Sequence, residues 1–251
     1  MMDFSNFKRK APVIYRESIS STNTVLKEMA EENPPEGLVL TAGRQTGGRG
    51  RLGRSFESPE SGIYMSMLLY PRCSPEQAAL ITPCAAVAVA RAVKRICGRE
   101  PDIKWPNDLQ IEGKKICGIL TEASFAVDRF FVVVGIGLNV NTPPAALSPE
   151  LRDSASSLRI VLGREIPLQP MAEAMIEELD GMYARWTLDP GCCLEDYRRL
   201  CISTGRDVRL IRGGVSRDAR SLGIADDYSL IVEADGKREH VHFGEVSIRN
   251  K

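Results

Sequence analysis

Histidine is nearly absent from this chain. Its 251 residues hold two, His240 and His242, two positions apart in a strand-like stretch. Cysteine occurs seven times, but at irregular intervals and with no CxxC pair. These counts leave no zinc-ligand pattern, and the two histidines read as surface or sheet residues. An odd number of cysteines and no secretory leader pattern point to a reducing cytoplasm. Polar residues interrupt every apolar run well short of membrane-spanning length. Net charge is missing too: 33 Lys and Arg balance 33 Asp and Glu, so no global basic field draws the chain to nucleic acid. No GxxxxGKS/T occurs, which excludes a Walker loop.

What is present is concentrated. Gly43 to Ser55 reads GRQTGGRGRLGRS, with five glycines, four arginines and no acid. Glycine lets backbone amides approach a ligand closely, and the guanidinium fork fits carboxylate and phosphate oxygens. Alone, the loop has two readings, a solvated or nucleic-acid-binding basic segment and a site for a multiply charged anion. Because the positive charge is local in a neutral chain, the site is the better reading.

Along the chain, a strand-like run from Val13 leads to Ser20, Ser21, Thr22 and Asn23, all good N-cap types, and Val25, Leu26, Met29 and Ala30 recur at helical spacing. One of these polar residues serves as a cap, and the others can face a cavity. Gly37–Ala42 and Gly62–Tyr70 read as strands on either side of the loop. Ser74-Pro75-Glu76-Gln77 has the form of a capping box opening a long apolar helix to Gly98, which Pro83 kinks or splits. Asp102–Asp108, DIKWPND, is a strand stopped by Pro106. Its Lys104 is either an exposed edge lysine or a site residue. Residues 109–123 suggest a hairpin turning at Glu112-Gly113-Lys114, and Arg129–Val134 a strand running into GIGLNVN. In that stretch Asn139 and Asn141 are turn residues or pocket amides, Asn141 the more readily a turn. Helices are expected over 154–162, 170–186 and 194–201. Beyond Gly205 the texture becomes short strands, at 208–211, 229–233, 239–243 and 246–248, so a boundary falls within 189–205.

Four segments stand together in order: SSTN at 20–23, RQTGGRGRLGRSF at 44–56, IKWPNDLQIEGKKICGIL at 103–120 and VGIGLNVN at 134–141. In this order and spacing they resemble biotin protein ligases, over about Tyr15 to the closing GEVSIR. The RRxSGGG-type signature of lipoate ligases is absent. The resemblance implies an α+β catalytic domain (1–200) with a mixed sheet like that of class II aminoacyl-tRNA synthetases, then a small SH3-like β-barrel (201–251). It implies activation of biotin with MgATP to biotinyl-5′-AMP, then transfer to a lysine of a biotin carboxyl carrier protein. By family position, Ser21, Thr22, Asn23, Gln45, Arg49, Gly50, Arg51 and Lys104 would bind biotin. Arg51, Arg54, Phe56, Lys104, Asn107, Lys115 and Asn139 would contact ATP. Arg51 and Lys104 would be catalytic, and Asp108 is a candidate Mg²⁺ partner. Many members carry tryptophan at the position of Phe56, which implies a different adenine stack. Ser21 comes too early for a preceding helix-turn-helix, so a ligase without DNA binding is expected, as monomer or homodimer. A lipoate-type ligase and a nucleic-acid-binding module are the alternatives.

Overall fold

The computed structural model describes residues 2–126, 129–212, 215–242 and 244–248. The first sheet gathers β1 (Val13–Ile19), β2 (Val39–Gln45), β3 (Ile63–Leu69), β4 (Asp102–Lys104), β5 (Asp108–Ile111), β6 (Lys114–Ala126) and β7 (Arg129–Leu138) in the order β1-β2-β3-β7-β6-β5-β4. Only β1 and β2 run parallel, joined through helix α1 (Thr22–Met29); the other neighbours are antiparallel. Glu112 and Gly113, at φ 54° and 75°, make the two-residue turn between β5 and β6.

Strand alternation divides the sheet into two faces. Ile63, Met65, Met67 and Leu69 of β3, with Val132, Val134, Ile136 and Leu138 of β7, pack in one large core with helices α3 (Ile81–Cys97) and α5 (Leu168–Trp186). The opposite face carries Leu68, Phe131 and Val133 under Leu26 of α1, but α1 covers only part of it. Between strand and helix, α2 (Pro75–Ala79) opens with a complete Ser74/Gln77 capping box. Pro83 is not where the long helix divides. The break falls at Leu80, leaving Pro83 in the first turn of α3, where a missing N–H has no helical partner to lose. The expected helix at 154 begins later, as α4 (Leu158–Leu162), because Ser157 is the residue whose side chain accepts the Ile160 amide. Helix α6 is Leu194–Leu200.

The second sheet is β8 (Asp207–Arg212), β9 (Val215–Ile224), β10 (Leu230–Ala234), β11 (Lys237–Val241) and β12 (Glu245–Ile248), ordered β11-β10-β9-β8-β12 and antiparallel throughout. Its longest strand, β9, has no counterpart in the sequence reading: VSRDARSLGI is mostly exposed and lacks an apolar stripe. Expected residue Phe243 lies outside the described residues. The chain is thus α+β, a mixed sheet with helices followed by a small β module. Among the described residues no helix is long and apolar enough to cross a membrane.

Candidate active site

The incompletely covered face of the sheet becomes a site because its side chains are missing there. Gly118 of β6 pairs with Gly137 of β7, and Leu120 with Gly135. A Cβ on Gly137 would stand 2.5 Å from the Phe56 ring, one on Gly118 3.2 Å from it, and one on Gly135 would collide with the Asn23 amide. The three glycines therefore form a floor on which Phe56 and Asn23 lie directly. With the loops above, this floor bounds a cavity of about 410 Å³, a size suited to a small molecule.

Every residue that the family resemblance assigned to the site lines this one cavity: Ser21, Thr22, Asn23, Gln45, Arg49, Gly50, Arg51, Arg54, Phe56, Lys104, Asn107, Asp108, Lys115 and Asn139. Ser21 occupies the N-cap position of α1, yet its side chain accepts no helix amide, so the expected side-chain cap does not form. Instead Gln45 Oε1 accepts both the Thr22 amide (2.8 Å) and Thr22 Oγ1 (3.1 Å), while Gln45 Nε2 donates to Ser58 Oγ (2.9 Å). Asn23 is engaged at both ends of its amide. Its Oδ1 accepts from Ser66 Oγ (2.6 Å), and its Nδ2 donates to the Leu120 carbonyl (3.1 Å) and to Glu122 Oε2 (2.8 Å). It lines the wall chiefly by fastening α1 to the sheet.

The cations come from both sides. Arg51 Nη1 donates to Asn107 Oδ1 (3.1 Å) and Nη2 to the Gly244 carbonyl (3.0 Å), so the glycine-arginine loop is tied to the DIKWPND turn and to the C-terminal module together. Lys104 ends β4, at the sheet edge but half-buried, immediately before the cis Trp105–Pro106 bond. Lys104 is thus on an edge strand, half-buried rather than exposed, and lines the cavity. Its turn is held from behind by Trp105 N to Ser203 Oγ (3.1 Å), Trp105 Nε1 to the Tyr228 carbonyl (3.0 Å) and Tyr197 Oη to the Pro106 carbonyl (2.9 Å). Lys115 Nζ pairs with Asp108 Oδ1 at 2.6 Å and stands 5.9 Å from the centre of the Phe56 ring. Asn139 Nδ2 donates to the Ser156 carbonyl (3.1 Å), whereas its Oδ1 is buried without a hydrogen-bond partner. Asn141, by contrast, is a turn residue, clasping the backbone of Ile166 with both amide atoms.

Several participants are absent from the sequence reading. Gly118, Gly135 and Gly137 are one group; glycines inside strands signal close approach, but which face they serve depends on register. Val246 closes the cavity from β12. Glu122 is another. It pairs with Lys27 Nζ at 2.7 Å and Arg49 Nη1 at 3.8 Å. Burial disfavours its charge, but the hydrogen bonds from Lys27 and Asn23 and the charges of Lys27 and Arg49 outweigh this and hold its carboxyl below the ordinary value.

An α+β scaffold that presents cations, a glycine floor and uncharged donors to one cavity is a small-molecule site made for a ligand with an anionic end. Comparison with known proteins narrows this class. The profile of the Biotin/lipoate A/B protein ligase family matches residues 15–139. The chain is 34% identical over 241 residues to the bifunctional ligase/repressor BirA of Bacillus subtilis, covering 94% of this chain and 74% of that one. It is 32% identical to the biotin–[acetyl-CoA-carboxylase] ligase of Mycobacterium tuberculosis, over 90% and 85%. The fold superimposes on the Aquifex aeolicus biotin protein ligase in complex with biotin and ATP with a TM-score of 0.83, at 26% identity, over 95% of this chain and 99% of that one. The chain belongs to the biotin protein ligase family.

Proposed function

We propose that the chain condenses biotin with ATP to biotinyl-5′-AMP, releasing pyrophosphate, and then transfers the biotinyl group to the side-chain amine of a lysine on a biotin carboxyl carrier protein, with AMP as the leaving group. The observation that carries this reading is that Arg51 and Lys104, from segments far apart in sequence, line one cavity with the Ser21–Asn23 wall.

In the first step a carboxylate oxygen attacks the α-phosphorus as the bond to pyrophosphate breaks. Two anions must meet, and preplaced cations lower that barrier because they need no reorganisation. We assign this task to Arg51 and Lys104, with Arg49 and the Gly50 backbone folding over the carboxylate. Ser21 and Thr22, the latter fixed by Gln45, supply hydroxyls to the ureido ring; Asn23 holds that wall in place. On the nucleotide side, the free Asn139 acceptor suits an exocyclic amino group such as that of adenine. Phe56 offers its ring, and Arg54, Asn107 and Lys115 complete the nucleotide's surroundings. Asp108, a hard oxygen donor beside these groups, fits the single carboxylate that Mg²⁺ commonly uses along with substrate phosphates, and the ion would neutralise phosphate charge. No side-chain nucleophile is required. In the second step the enzyme orients the acceptor amine and shields the anhydride from water.

This reading treats residues 1–200 as the catalytic domain and 201–251 as a C-terminal module that lines the cavity through Val246 and holds Arg51 through the Gly244 carbonyl. All seven cysteines are free thiols, which suits a reducing cytoplasm. Three of the four loop arginines, Arg49, Arg51 and Arg54, line the cavity and total charge is balanced, so no DNA-binding role is assigned. The test is incubation with ATP, biotin and a carrier domain, read by avidin blot. Labelling is expected to need all three, and unlabelled lipoate is expected not to compete; an unlabelled carrier, or lipoate competing as well as biotin, would overturn the assignment.

A further inference from the structure

Three cysteines that this chemistry does not use meet behind the DIKWPND turn. Cys84 is buried on α3, while Cys192 and Cys193 lie in the turn that opens α6. Their sulfurs all lie within 4.8 Å of one another, and Cys192 Sγ and Cys193 Sγ are 3.7 Å apart. The spacing along the chain argues against a metal site, and folding overrides it, because α3 and the turn before α6 come from distant segments.

We propose that Cys84, Cys192 and Cys193 form a three-sulfur site for a thiophilic d¹⁰ cation, Zn²⁺ or Cu⁺.

The geometry is suitable. Sulfurs bound to Zn²⁺ at about 2.3 Å in a tetrahedral arrangement lie roughly 3.8 Å from one another, so closing the ring around an ion asks for sulfur shifts of an ångström or less. Soft thiolates select Zn²⁺ and Cu⁺ over the hard cations that oxygen ligands hold. Binding releases the thiol protons and concentrates negative charge.

The position also gives the site a consequence. Cys84 Sγ lies 3.5 Å from Tyr228 Oη. The Tyr228 carbonyl accepts Trp105 Nε1, and the Tyr228 ring meets Tyr197 edge-on at 5.4 Å. Tyr197 in turn bonds the Pro106 carbonyl. An ion here would pin α3 to the turn before α6 and, through Tyr228, brace the turn that carries Lys104.

The experiment uses the full, phosphine-reduced chain, free of metal, under anaerobic conditions. Titration with Cd²⁺ alone is expected to give a sulfur-to-metal charge-transfer band that saturates at one ion per chain, with a rise in Tm. Competition with Zn²⁺ in one arm and Cu⁺ in the other then shows which ion displaces Cd²⁺ at the lower concentration. Cys192→Ser, at a partly exposed position, should weaken binding by more than the roughly 10–100-fold that loss of an outer partner costs. Cys193→Ser should do the same, while Cys73→Ser and Cys97→Ser, outside the cluster, should leave binding unchanged. A missing one-equivalent band, or a band of undiminished affinity in both Cys192→Ser and Cys193→Ser, would overturn the site. Because the readout is absorbance and Tm, the result stands apart from the ligase assay.

Discussion

Phe56 rests on Gly137 so closely that a methyl group on that glycine would stand 2.5 Å from its ring. The glycine-arginine segment ends in this aromatic, and the glycine floor of β6 and β7 fixes where it lies. Gly137→Ala must therefore displace the ring. Overpacking of this kind costs about 1–3 kcal/mol. If the ring holds the adenine, that cost appears as a roughly 5–150-fold rise in the KM for ATP, with the KM for biotin little changed. Pyrophosphate exchange at varied ATP measures it, and an unchanged KM for ATP would remove Phe56 from the nucleotide site.

Arg51 and Lys104 are expected to act chiefly on the transition state, where carboxylate and phosphate charges converge. Removal of one such preorganised donor typically costs about 2.7–4 kcal/mol, or roughly 10²–10³ in rate. Arg51→Ala and Lys104→Ala should each slow adenylate formation by that factor in single-turnover measurements. Arg51 also bridges Asn107 and the Gly244 carbonyl, so its loss should loosen the C-terminal module, whereas Lys104→Ala should leave Tm close to that of the parent. Near-parental rates in both variants would transfer the chemistry to other groups.

The residues that line the cavity are legible in the sequence because their short motifs combine residue types that structure alone seldom needs together, such as GRGRLGR and KWPND. Their surroundings were less legible. Gly118, Gly135 and Gly137 matter through cross-strand register and through lying on the face away from α3, which no single strand reveals. The Gly244 contact joins segments 193 residues apart, and Val246 reaches the same cavity. Strand β9 escaped because its exposed, charged residues carry no period-two stripe. Ser21 looked like a helix cap and occupies that position, but its hydroxyl does not bond the helix. The cysteines looked unrelated until α3 and the turn before α6 came together.

Glu122 makes a pH-dependent contribution to this wall. Its carboxyl is held below the ordinary 4.5, because the contacts with Lys27, Asn23 and Arg49 outweigh burial. A depressed carboxyl pKa stabilises the fold fully above the unfolded value, and the contribution is lost as pH falls through the lower folded value. Glu122→Gln removes it. The parent's Tm advantage over Glu122→Gln should be constant above about pH 6 and shrink below about pH 4.5. A difference that persists unchanged through acid pH would mean that the pairing adds no net stability. Since the same carboxylate holds Asn23 and Arg49, Glu122→Gln should also raise the KM for biotin at neutral pH.

The glycine-arginine loop should tighten when its ligands bind. Leu52, at its tip, is 75% exposed and sits at φ 56°, a conformation that non-glycine residues seldom keep without support. Five glycines between Gly43 and Ser55 make any single conformation entropically costly. The loop's arginines are tryptic sites, and anions drawn between Arg49, Arg51 and the floor would fasten it at both ends, as ligand-gated loops do. Limited trypsin digestion, followed by mass spectrometry of cuts after Arg49, Arg51 and Arg54, should show fast cleavage of the free protein. Biotin alone should slow it, and biotin with MgATP should slow it further, whereas ATP with a des-carboxyl biotin analogue should give less protection because the anion that gathers the arginines is missing. Equal cleavage under all four conditions would mean that the loop does not close over the ligand, and that Arg49 and Gly50 take no part in holding the carboxylate.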